Sequence, residues 1–167
     1  MKKIGLISDT HGTIIPQLFD FFKDVDEIWH AGDIGNIATA DAIAAFKPLI
    51  AVHGNIDDHL VRMQYKESVF FQAEELTIYM THVGGYPEHY MPEIKKVLEK
   101  AQPDVFVCGH SHILRIITDN KLNLLHLNPG AAGKSGFHKK ITMLRFTIDK
   151  KQIKDMEIFE LDRKGLI

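Results

Sequence analysis

The sequence predicts an α/β fold in which two mixed sheets pack together and helices cover the outside. In the first third of the chain, short apolar runs alternate with segments of helical spacing. That is the pattern of β-α-β crossovers, which favour parallel strands. Further on, most β-rich runs come in pairs around short polar turns, which is the pattern of hairpins. One doubly wound layer has no room for so many hairpin strands. The two kinds of pairing therefore imply two layers of sheet.

Taken in order, residues 4–7 read as a buried first strand. Pro16 and the spacing of Ile15, Leu18, Phe19 and Phe22 predict a helix over 14–22. Ile28-Trp29 forms a second strand, 39–46 a helix that Pro48 stops, and 49–52 a third strand. Runs 68–73 and 76–81 form a hairpin across Glu74-Glu75. Pro92 opens a helix to residue 101, with Ile94, Val97 and Leu98 on its apolar face, and 105–108 is another buried strand. A hairpin of 113–118 and 122–127 turns around Asp119-Asn120-Lys121. A Gly-rich loop follows at 128–133, and a final hairpin joins 141–148 to 153–161.

The 167 residues, 45% of them hydrophobic, predict one domain over 1–167. Twenty Lys and Arg stand against 22 Asp and Glu, a net charge of -2. That balance gives no footprint for an extended nucleic acid or a membrane surface, yet suits a short phosphate-bearing ligand. Cys108 is the single cysteine, so no internal disulfide forms. No apolar run reaches membrane-spanning length, and Met1-Lys2-Lys3 does not lead into a signal peptide. The expectation is a cytoplasmic protein, and a homo-oligomer stays open.

Chemistry collects where the strands end. Asp9 and His11 follow the first strand, Asp33 the second and Asn55 the third. His82 follows the hairpin, and His110 and His112 follow the strand at 105–108. In open α/β sheets ligands bind beyond the carboxyl ends of the strands. Singly, each residue has another use: Asp33 as a helix cap or turn former, Asn55 as a turn former, His82 as a packed ring. On an extended segment His110 and His112 point the same way. Together the seven offer only oxygen and nitrogen donors, a set that suits Mn, Fe, Zn, Ni or Co. Two metals about 3.5–4 Å apart clamp the attacking and leaving oxygens of a phosphoryl transfer. Such a pair needs a bridging carboxylate, and Asp33, the middle acid of the series, is the candidate.

Asp9-x-His11, Gly32-Asp33, Gly54-Asn55, His82 and Gly109-His110-x-His112 resemble, in order, the motifs of the calcineurin-like metallophosphoesterase superfamily. The compact chain is similar to its small phosphodiesterases. The resemblance implies a four-layer α/β/β/α sandwich with two divalent ions per chain, manganese first and Fe, Ni, Zn, Co or Mg as alternatives. One ion would be held by Asp9, His11, Asp33 and His112, the other by Asp33, Asn55, His82 and His110. Asp33, Asn55 and His82 carry the catalytic expectation as well. A hydroxide between the metals would attack a small phosphodiester. The alternatives are a phosphomonoesterase or nucleotidase, and a non-catalytic scaffold like the small retromer subunit. There is one departure. Many superfamily members carry a histidine after Gly-Asn, and this chain has Ile56. Isoleucine donates no proton, which predicts a preference for esters with acidic leaving alcohols.

Other residues carry weaker expectations. His30 and His53 either orient ligands or fill polar positions at strand ends. Asp57 reads as a structural loop residue. Asn128, Gly130, Gly133 and Gly136 either turn N–H groups toward a phosphate or make a tight connection. Lys134, His138, Lys139 and Lys140 read as a solvated face or a second phosphate site. His59, His89 and His126 read as surface or packing residues, and Cys108 as a core residue.

Overall fold

The computed structural model describes residues 1–166. The chain runs through β1 (Lys2–Ile7), α1 (Gln17–Phe21), β2 (Glu27–His30), α2 (Ile37–Phe46), β3 (Leu49–Ala51) and α3 (His59–Gln64). It continues through β4 (Ser68–Ala73), β5 (Leu76–Thr81), α4 (Pro92–Ala101), β6 (Val105–Val107), β7 (Leu114–Asp119) and β8 (Leu124–Pro129). The hairpin of β9 (Lys140–Asp149) and β10 (Gln152–Asp162) follows, and a short 3-10 turn, Arg163–Leu166, ends the described chain.

The strands form two five-stranded sheets, ordered β10-β9-β1-β2-β3 and β4-β5-β6-β8-β7. As expected, β1, β2 and β3 are parallel, with Leu6 opposite Trp29 and Trp29 opposite Ile50. In the second sheet β5, β6 and β8 are parallel, and β4 and β7 run antiparallel at the edges. Both sheets are mixed.

The core between the sheets holds Leu6, Trp29 and Leu144 from the first and Ile78, Val107 and Leu127 from the second, all fully buried. On the outer face of the first sheet Ile15, Leu18, Phe22 and Ile43 pack against Ile28 and Met143. On the outer face of the second, Ile94 and Leu98 of α4 pack against Tyr79 and Phe106. The result is the four-layer α/β/β/α sandwich. Because the parallel strands of each sheet end on the same side, the loops after β1, β2, β3, β5 and β6 gather at one edge.

Two local expectations are corrected, and one helix is added. The helix expected over 14–22 is only Gln17–Phe21. Pro16 has no N–H to give and stands at the cap, so Ile14 and Ile15 lie in the approach to the helix. The segment after Asp58 forms α3, where the Asp58 carboxylate accepts from Val61 N at 3.1 Å. The hairpin strands β7 and β8 sit one to two residues later than expected. Asp119 closes β7, and its Oδ1 accepts from Lys121 N (3.0 Å) and Leu122 N (3.1 Å), which moves the turn forward. Asn128 and Pro129 therefore belong to β8, opposite Arg115 and Leu114, and not to the Gly-rich loop.

Candidate metal centre

The loops at this edge are stitched to one another. After β1, Asp9 N donates to Gly32 O (2.9 Å), His11 N to Asp33 O (3.0 Å) and Gly12 N to Ile34 O (2.7 Å). The loop after β2 is thereby locked to the loop after β1. Asp57 is structural, as expected, but over a wider reach. Its carboxylate accepts from Gly54 N (2.8 Å) in its own loop and from Ile34 N (3.1 Å) and Gly35 N (2.7 Å) across from it. Arg62 of α3 holds the same loop from behind, donating to Asp57 O at 2.7 Å and to Gly54 O and Asn55 O at 3.2 Å. From the second sheet, Gly109 N donates to His82 O (2.9 Å) and His110 N to Asp9 Oδ2 (3.1 Å).

Five of the seven candidate ligands, Asp9, His11, Asp33, His110 and His112, have positive φ between 48° and 69°. Non-glycine residues reach that region at a cost of about 1 kcal/mol or more each, and persist there only when the surroundings dictate it. The segment 110–112 is thus not extended, and the two imidazoles do not point the same way. His112 turns to Asp9 and His110 to Asn55. Gly54 and Gly109 permit the close approach. A Cβ on Gly54 would collide with the Asp33 carboxylate, and one on Gly109 with the Ser8 hydroxyl and Asp9.

Donor atoms converge in two groups, Asp9–His11–His112 and Asp33–His82–His110, each with its ligand atoms within 4.8 Å of one another. Asp33 Oδ2 lies 3.5 Å from His11 Nε2 and 3.2 Å from His82 Nε2, between the groups. Asp9 Oδ1 lies 3.6 Å from His11 Nε2, 3.2 Å from His112 Nε2 and 3.8 Å from His82 Nε2. Asn55 joins the second group, with Oδ1 3.1 Å from His110 Nδ1. All seven sequence-predicted donors therefore meet at one edge.

Second oxygens and second nitrogens are anchored, which leaves the first ones free. Asp9 Oδ2 accepts from Ser8 Oγ (2.6 Å) and Asp33 Oδ1 from Ile56 N (3.1 Å). His82 Nδ1 donates to Ala31 O at 2.7 Å, which leaves the Nε2 lone pair facing the carboxylates. Asp9 Oδ1, His11 Nε2 and His82 Nε2 are buried and have no hydrogen-bond partner. Buried polar atoms are seldom left so. Orphaned carboxylate oxygen and imidazole nitrogen atoms facing one another fit a divalent cation.

The electrostatics agree. Burial alone would push the Asp9 carboxyl up, but the neighbouring imidazoles of His11, His112 and His82 and the Ser8 hydroxyl hold it well below the usual range. Burial also works to raise Asp33, and the His82 imidazole beside it brings it down. The Asp9 carboxylate beside it raises His11. His82 is raised despite its burial, through Asp33 and Asp9. Each anion stays charged by borrowing positive charge from an imidazole, a role that a bound cation would take over.

His138 was misread in the sequence. It does not belong to a basic face. It is buried, its Nε2 donates to Gly133 O (2.8 Å), and its Nδ1 lies 3.0 Å from His112 Nδ1. The carbonyl only accepts, so His138 Nε2 carries the proton and a neutral ring receives the His112 N–H at Nδ1. Burial, first of all, keeps the His138 pKa low and the ring neutral. His112 Nε2 is thereby held as a lone-pair donor. Nothing in the local sequence marks this role, because the partner is 26 residues away.

Lys134, Lys139 and Lys140 are exposed, as on a solvated face, and Lys140 pairs with Glu160 at 3.0 Å. The Gly130 and Gly133 N–H groups are already bonded, to Asn128 Oδ1 and Asp9 O, and are not free for a phosphate. Asn128 instead braces the His110 loop, donating to Gly109 O (3.0 Å) and Ser111 Oγ (3.1 Å). His30 is fully buried beneath the site, bonded to Thr10 Oγ1 (2.8 Å) and accepting from Gly32 N (3.1 Å). His53 Nδ1 donates to Tyr65 O at 2.8 Å. His126 is a packing residue, as expected.

A sandwich of two mixed sheets with a nitrogen and oxygen donor cluster at its strand ends defines the class: a metal-binding α/β/β/α sandwich. Residues 1–151 match the family model of the calcineurin-like phosphoesterase superfamily domain, and the chain belongs to that family. It is 32% identical over 135 residues to a probable metallophosphoesterase of Methanothermobacter thermautotrophicus, covering 77% of this chain and 76% of that protein. Its fold is similar to the solved Vps29 of Entamoeba histolytica complexed with Zn2+, with 15% identity, a TM-score of 0.75 and 96% and 99% of the two chains covered. It is also similar to a solved archaeal phosphodiesterase, with 20% identity, a TM-score of 0.72 and 95% and 99% covered. Among the described residues no helix is long and apolar enough to cross a membrane.

Proposed function

We propose that this member of a metal-dependent phosphoesterase family is a phosphodiesterase with a dinuclear centre. Asp9, His11, Asp33 and His112 would hold one divalent ion, and Asp33, Asn55, His82 and His110 the other. Manganese is the first choice for a donor set without thiolate, ahead of Fe, Ni, Zn, Co or Mg. The observation that carries the reading is the position of Asp33 Oδ2, within 3.5 Å of a histidine nitrogen from each group.

When bound, such ions make hydroxide available near neutral pH and offset charge on the phosphate oxygens. The chain's residues prepare for this. Two carboxylates against two divalent cations leave the centre net positive, which draws in a phosphate anion. Asp57 and Arg62 hold Asn55 against the Asp33 loop, and His138 fixes the His112 tautomer. At the mouth Ile56 is exposed and offers no proton. A leaving group must depart with little help there, which favours diesters of acidic alcohols. A protein with one buried, unpaired cysteine suits the reducing cytoplasm.

The test is a chelator-stripped sample reloaded with single metals and assayed on bis-p-nitrophenyl phosphate. Hydrolysis restored by manganese supports the reading. Folded protein that binds no metal and hydrolyses nothing would favour a protein-interaction scaffold, the reading that the likeness to Vps29 raises.

A further inference from the structure

The cleft above the metal centre has a volume of about 530 Å³ and a lopsided lining. Its floor is made of the candidate ligands. Its walls are Ile56, Ile113 and Phe137, and no Lys or Arg is among the described residues that line it. Ile56 is 46% exposed, Ile113 51%, and Phe137 fully exposed. Three large apolar side chains stand open to water around a polar site, where solvation disfavours them.

Phe137 is held there by its neighbours. Gly136 lies against the His112 ring so closely that a Cβ would strike it, at φ +132°. On the other side His138 bonds to His112 and to Gly133 O. Arg163, from the last turn, donates to Gly136 O and Lys134 O. The backbone is pinned before and after Phe137, and its fully exposed ring is carried at the mouth of the site.

We infer that Phe137, with Ile56 and Ile113, forms a subsite for an aromatic ring on the retained alcohol of the phosphodiester substrate. The inference rests on the diesterase reading above and names its substrate class. An aromatic ring has the flat apolar face that Phe137 and the two isoleucines lack as a partner. The absence of cationic walls fits a single phosphodiester charge, met by the metal centre alone, and gives no seat to a second phosphate. The ring is a nucleobase or a simple aryl group, and the two share this chemistry.

Three p-nitrophenyl diesters with the same leaving group test it: the methyl, phenyl and thymidine-5′ esters. With manganese-loaded protein, at least one ester with a ring on the retained group should exceed the methyl ester, whose only ring departs, in kcat/KM by about tenfold or more. Phe137→Ser should collapse that ratio toward one. The ranking of phenyl against thymidine tells aryl from nucleobase. A second reading needs no turnover. In zinc-loaded protein labelled at isoleucine δ1-methyls, diphenyl phosphate should shift Ile56 and Ile113, and dimethyl phosphate should not. A ratio near one in the unaltered protein, or a ratio that survives Phe137→Ser, overturns the subsite and leaves the diesterase intact. Hydrolysis of none of the three overturns the diesterase reading instead, while the methyl shifts still decide whether a ring binds.

Discussion

Two groups of histidines contrast in this protein, those at the mouth of the strands and those in the interior behind it. His82 at the mouth is almost wholly buried, as His30 and His126 are in the interior. The difference lies in the ring nitrogens. His82 spends Nδ1 on Ala31 O and leaves Nε2 without a partner, and His11 Nε2 is left likewise. His30 has both nitrogens engaged, with Thr10 and Gly32. His126 faces the Tyr90 hydroxyl at 3.5 Å and the Cys108 sulfur at 4.0 Å. Neighbouring carboxylates raise His82 and His11, whereas burial pushes His30 and His126 down to about 4. Depth therefore does not mark a ligand. An unspent nitrogen beside an unspent carboxylate oxygen does.

The sharpest way to break this comparison is to remove atoms from the mouth. Asp33→Asn and His82→Ala should each lower metal-stimulated hydrolysis by roughly 10³-fold or more while leaving the circular dichroism spectrum in place. Rates within a few-fold of the unaltered protein would remove both residues from the centre. A smaller effect should follow at His138, which has both nitrogens spent yet touches the candidate ligand His112. His138→Ala should weaken metal affinity by about 10–100-fold in a competition titration with a chromophoric chelator. His138→Gln, which keeps an acceptor, should recover part of that loss. Equal affinity in all three proteins would make His138 mere packing.

The interior histidines should be silent in catalysis and visible in acid. An unfolded histidine titrates near 6.5, and folded His126 near 4. As the pH falls the unfolded chain takes the proton first, so stability drops from about pH 6.5 down to about 4. His126→Leu should remove on the order of 1–2 kcal/mol of the loss between pH 7 and pH 5, read from urea midpoints. An unchanged acid slope would contradict the assignment of His126 as a buried neutral ring. The smallest effect is expected from adding an imidazole. Ile56→His should speed unactivated alkyl or nucleoside diesters by several-fold and p-nitrophenyl esters less, because only the former need a proton at the leaving oxygen. Equal gains across a leaving-group series would show that proton donation is not what Ile56 denies.

The seven donors were legible because each follows an apolar strand, and parallel strands carry their polar ends to one edge. The β1-α1-β2-α2-β3 order was legible for the same reason, since Pro48 and the apolar runs punctuate it. Elements with little buried surface were not. Helix α3 buries only Val61, too little to give a period, and its one signal is the cap Asp58. Long-range polar contacts were also hidden. That Asp57 gathers three backbone N–H groups from two loops, and that His138 meets His112, depends on loop paths that local pattern does not encode. The direction of His110 and His112 is not legible in the sequence because positive φ at these two polar positions is imposed by the fold.

The central claim is that Asp33 joins two metal sites into one centre. Electron paramagnetic resonance of the chelator-stripped protein titrated with manganese addresses it most directly. The account predicts uptake of two equivalents per chain, with the second replacing isolated six-line signals by the spectrum of an exchange-coupled pair. Saturation at one equivalent, or two equivalents that stay uncoupled, would contradict it.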